Sequence, residues 1–572
     1  MANVVTTTAD SSETESGPTP DTDRRTRLDR VRNVASEWFG WDRLRPGQAE
    51  AMIAALEGRD VLAVMPTGAG KSALYQVPAV LLAGPTLVVS PLLALQRDQI
   101  GFLTEQPERS ADAVQVSSDD SADRRDDALE QVNSGATEFV FLAPEQLANG
   151  EVLDRLAAAR PSLVAVDEAH CVSVWGHDFR PDYLRIGDVL ERLGRPTVVA
   201  LTATASPTVR DDIVTRLGLR DPYVIVTGFD RPNIHLAVER FVDDRPRRDR
   251  LVEWVASQPA PGIVYAPTRR ATEGIADELS ASGLRTAAYH GGMRKGDRTR
   301  IEDAFDADEL DAVVATSAFG MGIDKPNVRF VVHTALPDSP DTYYQEIGRA
   351  GRDDEPARAL LLYRPEDLGL RRYFASGIPA EDDLCAVASV LAEATSSGST
   401  VDRRTLRSRT GLGPRKITLL VNLLEQVGAA ATAPGGAFHA PTSAPSPANA
   451  ARAALAEAER LRRVERSRLE MAREYADTTA CRRQFLLGYF GEDLPEPCGR
   501  CDTCESGSAA HRDADAADRP WPLESRVRHR EWGGGTVMRY DADRVVVLFD
   551  EVGYRTLALP LADERDLLRA AG

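Results

Sequence analysis

Apolar residues in the first two thirds of the chain fall into short unbroken runs, separated by longer stretches of mixed polarity. VLAVM (61–65), TLVVS (86–90), FVFLA (139–143), LVAVD (163–167) and TVVAL (197–201) form one set. GIVYA (262–266), TAAYH (286–290), AVVAT (312–316), FVVHT (330–334) and ALLLY (359–363) form a second. Strands buried on both faces of a parallel sheet read this way, because helices cover each side and leave no polar face. The pattern predicts α/β architecture in two similar lobes, 26–210 and 211–370, with a cleft between them.

The remainder changes character. Residues 380–440 read as mainly helical and end in a Gly/Ala-rich stretch, and 441–450 (PTSAPSPANA) reads as a linker. From 451 to 480 the chain is rich in Ala, Glu and Arg without Gly or Pro, which predicts a long helix or helical hairpin. A polar linker follows (506–524). Short alternating strands with glycines in 525–572 then predict a small β-barrel. The first 25 residues are polar and rich in Ser, Thr, Asp and Pro, and are expected to be disordered.

Composition adds constraints. The 572 residues carry a net charge of −19, so any nucleic-acid contact must come from local basic clusters and not from a uniformly basic coat. No apolar run approaches the ~20 residues of a membrane helix, and no secretory signal begins the chain, so a cytoplasmic location without membrane contact is expected. Four of six cysteines (Cys481, Cys498, Cys501, Cys504) crowd into 24 residues, which suggests a metal in a reducing compartment. Cys171 and Cys385 stand alone and read as small buried apolar groups.

MPTGAGKS (65–72) follows the VLAV strand and precedes a helical stretch. A glycine-rich turn between strand and helix lets backbone N–H groups approach phosphates at a helix N-terminus. Thr67, Gly68, Ala69 and Gly70 form the cradle, Lys71 reaches the β- and γ-phosphates of ATP, and Ser72 holds Mg²⁺. Met65 stands where the usual pattern begins with glycine. DEAH (167–170) closes another strand. Asp167 suits Mg²⁺, and Glu168 suits orientation of the attacking water. QEIGRAGRD (345–353) in the second block offers Arg349 and Arg352 as cross-cleft arginine fingers. Closure of the lobes then couples hydrolysis to a stroke.

These motifs resemble those of RecQ-type DNA helicases of superfamily 2. FGWDRLRPGQAEAM (39–52) is similar to the family's adenine-reading motif, with Arg45 and Gln48 at the matching positions. VVSPLLALQRDQ (88–99), FLAPEQL (141–147), ALTATA (200–205), GFDRPN (228–233), YHGGM (289–293), ATSAFGMGIDKPNVR (315–329) and YYQEIGRAGRD (343–353) match in order. The resemblance implies two tandem RecA-like P-loop NTPase lobes and 3′–5′ movement on single-stranded DNA. It adds His170 and Gln345 to the catalytic set. It also identifies WGHDFRP, directly after DEAH, as the loop that contacts single-stranded DNA. Trp175 and Phe179 are expected to offer stacking faces for bases, at roughly 1–3 kcal/mol per base. His177, Asp178 and Arg180 are expected to hydrogen-bond between DNA and the nucleotide site. Aromatic packing as lobe core is the competing reading.

Cys481, seventeen residues before Cys498, followed by C-x₂-C-x₂-C, supplies four thiolates for a closed tetrahedral zinc site in a module spanning 450–505. An iron–sulfur cluster competes, but its usual x₃-C-P continuation is absent. The spacing matches the RecQ zinc module. The arginines before it (Arg460, Arg462, Arg463, Arg466, Arg468) face DNA, the second lobe, or solvent.

The order departs from many family members, in which the zinc module directly follows the second lobe. Here TLRSRTGLGPRKITLLVNLLEQVGAAATAPGGAFH (405–439) reads as helix, turn, helix and short wing, with Arg403, Arg404, Arg407, Arg409, Arg415 and Lys416 nearby. A winged helix with a basic recognition helix is the preferred reading and a structural helical spacer the alternative. The tail VRHREWGGGTVMRYDADRVVVLFDEVGYRTLALP (527–560) resembles the Tudor-like barrel ending UvrD/PcrA-type helicases, which implies a protein or nucleic-acid partner. Trp532 reads as barrel core in preference to an exposed contact. The expected activity is ATP-dependent unwinding of forked duplex DNA in repair or recombination. An RNA helicase, a nucleic-acid-remodelling ATPase without strand separation, or a regulator whose motor is dead are the alternatives.

Overall fold

The computed structural model describes residues 20–91, 93–104, 112–117, 122–173, 175, 179–320, 325–369, 377–433, 436–509, 519–541, 543–564 and 567–571. Lobe 1 contains β1 (Val61–Val64), β2 (Thr86–Val89), β3 (Ala113–Val116), β4 (Phe139–Leu142), β5 (Leu163–Val166), β6 (Thr197–Thr202) and β7 (Tyr223–Val226). They form one sheet in the order β3-β4-β2-β5-β6-β1-β7, parallel throughout. Lobe 2 contains β8 (Ile234–Arg240), β9 (Gly262–Tyr265), β10 (Thr286–Tyr289), β11 (Ala312–Ala315), β12 (Phe330–His333) and β13 (Ala357–Tyr363). Its order is β10-β11-β9-β12-β13-β8, also parallel. Every predicted run is a strand, and three strands lie outside the prediction. β3, β7 and β8 are the ones it omits. Each lies at a sheet edge with one face partly exposed, so none reads as a continuous apolar run.

Three boundaries differ from expectation, the first being that lobe 1 includes β7, beyond its expected end at 210. A helix begins at Pro20 and runs to Phe39, inside the stretch expected to be disordered. Proline as its first residue, with Asp21 and Asp23 after it, suits a helix start. The linker expected over 441–450 ends at Ser446, because one unbroken helix spans Pro447–Asp477. That long helix is a single rod and not a hairpin.

Residues 381–439 form three helices, Glu381–Ser396, Arg403–Thr410 and Pro414–Gln426, followed by a two-stranded wing of β14 (Ala431–Thr432) and β15 (Phe438–His439). They share a core with the start of the long helix, through Leu391, Leu424, Ala451 and Ala454. The tail is a five-stranded antiparallel sheet of β16 (Arg526–His529), β17 (Gly533–Asp541), β18 (Arg544–Phe549), β19 (Gly553–Ala558) and β20 (Leu568–Ala570), in the order β19-β18-β17-β16-β20. It curls around its own core of Val527, Val537, Val547 and Phe549. Among the described residues no ladder joins β19 to β20. Trp532 sits partly buried against this core, stacked on His529 at 4.1 Å, as the core reading expects. No described helix is long and apolar enough to cross a membrane.

The modules form one body. The zinc segment covers the β8 edge of lobe 2: Leu236 bridges to Cys501, and Val238 N donates to the Asp502 carboxylate at 2.9 Å. Phe490 stacks on Phe229 at 4.6 Å. The tail in turn lies on the zinc segment, with the Arg539 guanidinium 4.0 Å from the Phe485 ring centre and Tyr554 stacked on Tyr489. It also reaches lobe 1, where Arg210 pairs with Glu524.

Candidate nucleotide, zinc and nucleic-acid sites

The phosphate loop connects β1 to the helix Ala73–Leu81. Gly68 and Gly70 hold φ of 81° and 76°, a region that side chains rarely adopt. A Cβ on Gly70 would also lie 2.8 Å from Gln48 Nε2. Gln48 Nε2 donates to the Gly70 carbonyl at 2.9 Å and to that of Ala69 at 3.3 Å. Its Oε1 accepts from Arg45 N at 2.8 Å, and the Arg45 guanidinium donates to the Gly68 carbonyl at 2.7 Å. The two residues expected at the adenine are therefore tied to the loop that would hold the phosphates. Beside them opens a cleft of about 620 Å³, lined by Trp41, Arg43, Arg45 and Pro46. Lys71 Nζ donates to the Met65 carbonyl at 3.1 Å. That contact uses backbone, which explains why methionine serves where glycine is usual; its side chain is buried in the lobe core. Thr67 is half-buried within the loop.

Ser72 Oγ accepts from Gln99 Nε2 at 3.2 Å, and Gln99 Oε1 accepts from Tyr75 at 3.1 Å and Gln76 at 2.8 Å. At the end of β5, the Asp167 carboxylate accepts from Glu168 N at 2.9 Å and Ser90 Oγ at 3.3 Å. Burial and the neighbouring Glu168 charge push the Asp167 carboxyl up to about 6, against the pull of Lys71. Buried carboxylate with adjacent acid is charge that a cation would neutralise. A serine hydroxyl and a carboxylate are oxygen donors of the kind magnesium prefers. The residues present fit that ion.

Glu168 adopts φ 47°, a left-handed conformation costly for a non-glycine residue and typical of functional turns. His170 is buried. Its Nδ1 lies 3.2 Å from the Glu168 carboxylate and 2.9 Å from Thr202 Oγ1 at the end of β6. It therefore links DEAH to the ALTATA segment and positions Glu168. Tyr183 is also fully buried, and its hydroxyl donates to the Asp167 carbonyl at 2.9 Å. Thr202, Ser90, Gln99 and Tyr183 were not in the sequence-derived site. The first three lie inside recognised segments and Tyr183 just past WGHDFRP, but only their contacts reveal what they hold.

Lobe 2 presents its two arginines differently. An ideal Cβ on Gly68 would sit 3.4 Å from Arg352 Cγ, so Arg352 crosses the cleft onto the phosphate loop. Arg349 instead donates to the Gly320 carbonyl of its own lobe. Gln345 is half-buried on the helix Pro340–Ile347 that precedes them.

The aromatic loop departs from expectation. His177 and Asp178 lie outside the described residues. Trp175 is only 8% exposed, and its backbone N–H donates to Ser173 Oγ, which itself donates to Asp212. The Arg460 guanidinium, from the long helix, lies 5.6 Å from its ring centre. In this conformation Trp175 offers no open stacking face: it packs with the lobe core, as the competing reading expects, and a cation from another module lies against it. Phe179 is half-buried against the same core, and Arg180 donates to the Pro91 carbonyl at 3.3 Å.

The four cysteine Sγ atoms of Cys481, Cys498, Cys501 and Cys504 all lie within 4.8 Å of one another. Tetrahedral ligation at a Zn–S distance of ~2.3 Å needs sulfurs about 3.8 Å apart, so the cluster fits zinc. Cys171 is buried as expected, while Cys385 is half-buried beside the helical core.

The winged-helix segment meets lobe 1 next to the aromatic loop: Arg185 donates to Thr432 Oγ1 at 2.6 Å and to Glu425 at 3.2 Å. Of its basic residues, Lys416 pairs with Asp383, Arg409 with Glu393, and Arg403 lies over Phe438. Arg404, Arg407 and Arg415 are exposed and make no ion pair among the described residues.

Two parallel-sheet lobes, a phosphate loop on one and an arginine delivered to it by the other define a two-lobed, nucleotide-driven motor. Residues 45–212 match the DEAD/DEAH box helicase family, 247–354 the helicase conserved C-terminal domain, and 448–505 the RecQ zinc-binding family. The chain is 37% identical over 405 residues to a Bacillus subtilis protein named "Probable ATP-dependent DNA helicase RecS", covering 70% of this chain and 80% of that one. It is 33% identical to the ATP-dependent DNA helicase RecQ of the same organism, covering 85% and 68%. The Lhr helicase of Mycobacterium smegmatis, solved with single-stranded DNA and AMP-PNP, superposes with a TM-score of 0.50 at 23% identity, over 76% of this chain and 62% of that one. That likeness concerns the fold alone. The chain belongs to the RecQ family of ATP-dependent DNA helicases.

Proposed function

We propose that this protein translocates 3′ to 5′ on single-stranded DNA, separates forked duplexes, and serves repair or recombination in association with the nucleoid in the cytoplasm. The observation that carries the reading is Arg352 of lobe 2 lying on the phosphate loop of lobe 1. Gln48 and Arg45 hold the base-side segment to the loop, and Lys71 carries its positive charge to the phosphates. Glu168, fixed by His170, orients the attacking water. Arg352 meets the charge on the transferring group only when the lobes close, so hydrolysis becomes lobe movement. Magnesium, held by Ser72 and Asp167, would supply further charge neutralisation at the phosphates. Zinc at the four cysteines would hold the module that covers β8. Opening a base-pair step costs about 1.4 kcal/mol on average, small beside what a nucleotide cycle supplies.

Comparing ATP turnover with single-stranded DNA, single-stranded RNA and no polynucleotide separates the readings, and unwinding of forked, overhang and junction substrates completes the test. Preference for DNA with strand separation supports the proposal. Preference for RNA would make it an RNA motor, and indifference to both a regulator.

A further inference from the structure

A groove of about 480 Å³ runs between the long helix and the tail sheet, lined by Arg463, Arg466, Ser467, Leu469, Glu470 and Arg555. The chain holds 88 acidic against 69 basic residues, and many guanidinium groups find a carboxylate, as Arg250 does with Glu239 and Arg285 with Asp311. Arg463, Arg466 and Arg555 make no ion pair among the described residues. Among the described residues, Arg463 donates to the Glu551 carbonyl at 3.3 Å, and Arg555 to that of Tyr554 at 2.8 Å. Burial lowers the Arg555 pKa, and no acid offsets it. The one carboxylate in the groove, Glu470, is taken up by Arg473 Nε at 2.8 Å.

The groove is built and not incidental. Ser467 is buried; its Oγ accepts from Tyr554 N at 3.0 Å and donates to the Val464 carbonyl at 2.7 Å, fixing β19 to the helix. The Arg555 guanidinium lies 5.9 Å from the Trp532 ring centre, which places an aromatic at the groove's rim. Arg460, Arg463 and Ser467 recur at three- and four-residue spacing and so share a helix face. The face that covers Trp175 through Arg460 therefore continues into the groove.

We propose that this groove is a second nucleic-acid site, in which Arg463, Arg466 and Arg555 bind the phosphodiester backbone of the single strand that passes the aromatic loop. The site rests on the chain being a DNA-dependent motor, and it gives the tail a role in holding the strand. An acidic peptide is the competing occupant. Continuity with the Trp175 face favours a polynucleotide.

The test measures full-length protein binding to a long and a short single-stranded oligonucleotide across a salt series. R463A/R466A/R555A should weaken long-strand binding roughly tenfold and reduce the salt slope by about 2, since each phosphate contact contributes roughly 0.7 on single strands. Short-strand stimulation of ATP turnover should be unchanged. R466E alone, at an exposed position, should weaken long-strand binding in the same direction if the triple variant does not fold. Unchanged long-strand affinity and slope would overturn the proposal. So would loss of poly-glutamate binding with DNA binding intact. If neither strand length stimulates the unaltered protein, the motor reading fails and not the groove.

Discussion

The guanidinium of Arg460 lies 5.6 Å from the centre of the Trp175 ring, joining the helix that leads into the zinc module to the loop after DEAH. Arg460 is itself held by Glu457 through two hydrogen bonds of 2.8 and 2.6 Å. The indole must be uncovered before a base can stack on it. A cation–π contact is worth about 0.5–2 kcal/mol. Arg460→Ala should therefore lower the DNA concentration that half-stimulates ATP turnover, by roughly two- to thirtyfold on that range. A titration of turnover with single-stranded DNA measures it, and an unchanged or raised midpoint means the cap does not restrain the loop.

The structure separates the two arginines that the sequence offered together. Arg352 lies on the phosphate loop, and Arg349 is held by Gly320 within lobe 2. Arg352→Ala should reduce kcat by about 10³-fold or more, the scale of an arginine finger, with nucleotide binding retained. Fluorescent-nucleotide binding beside steady-state turnover separates the two effects. Equal turnover in the variant and the unaltered protein would remove Arg352 from the transition state.

Lys71 is the phosphate loop's own charge, and its ammonium now rests on the Met65 carbonyl. Lys71→Ala should abolish hydrolysis while most single-stranded DNA binding survives, because the aromatic loop and the basic groove lie elsewhere. Turnover and fluorescence anisotropy on the same preparation check both halves.

The four thiols should bind about one zinc per chain, and chelation should unfold the segment they close. That segment covers β8 through Leu236 and Val238 and supports the tail through Phe485 and Tyr489. Metal removal should therefore raise protease cleavage in the tail as well as around the cysteines. Cleavage confined to the cysteine segment would show that the tail holds its place without the metal.

Much of this was legible in the sequence, for physical reasons. Central strands such as β1 and β12 are buried on both faces, so their apolar runs are continuous. β7, with only Ile225 buried of its four residues, carries no such signal. The phosphate loop and the cysteine cluster are local in sequence, so spacing alone outlines their chemistry. The burial of Trp175 was not legible because polar neighbours suggested an open loop, whereas Arg460, which lies against the ring, comes from far along the chain. Likewise nothing in QEIGRAGRD tells which arginine turns outward; that depends on where Gly320 and Gly68 lie. His170 reads as part of a catalytic motif, and only its contacts with Thr202 and Glu168 show that it positions the residue beside it.

The most direct measurement is ATP turnover of the full chain with increasing single-stranded DNA at saturating nucleotide and magnesium. Coupling through the aromatic loop predicts low turnover alone and a saturable rise of many-fold with DNA. Turnover that is the same with and without DNA would contradict it.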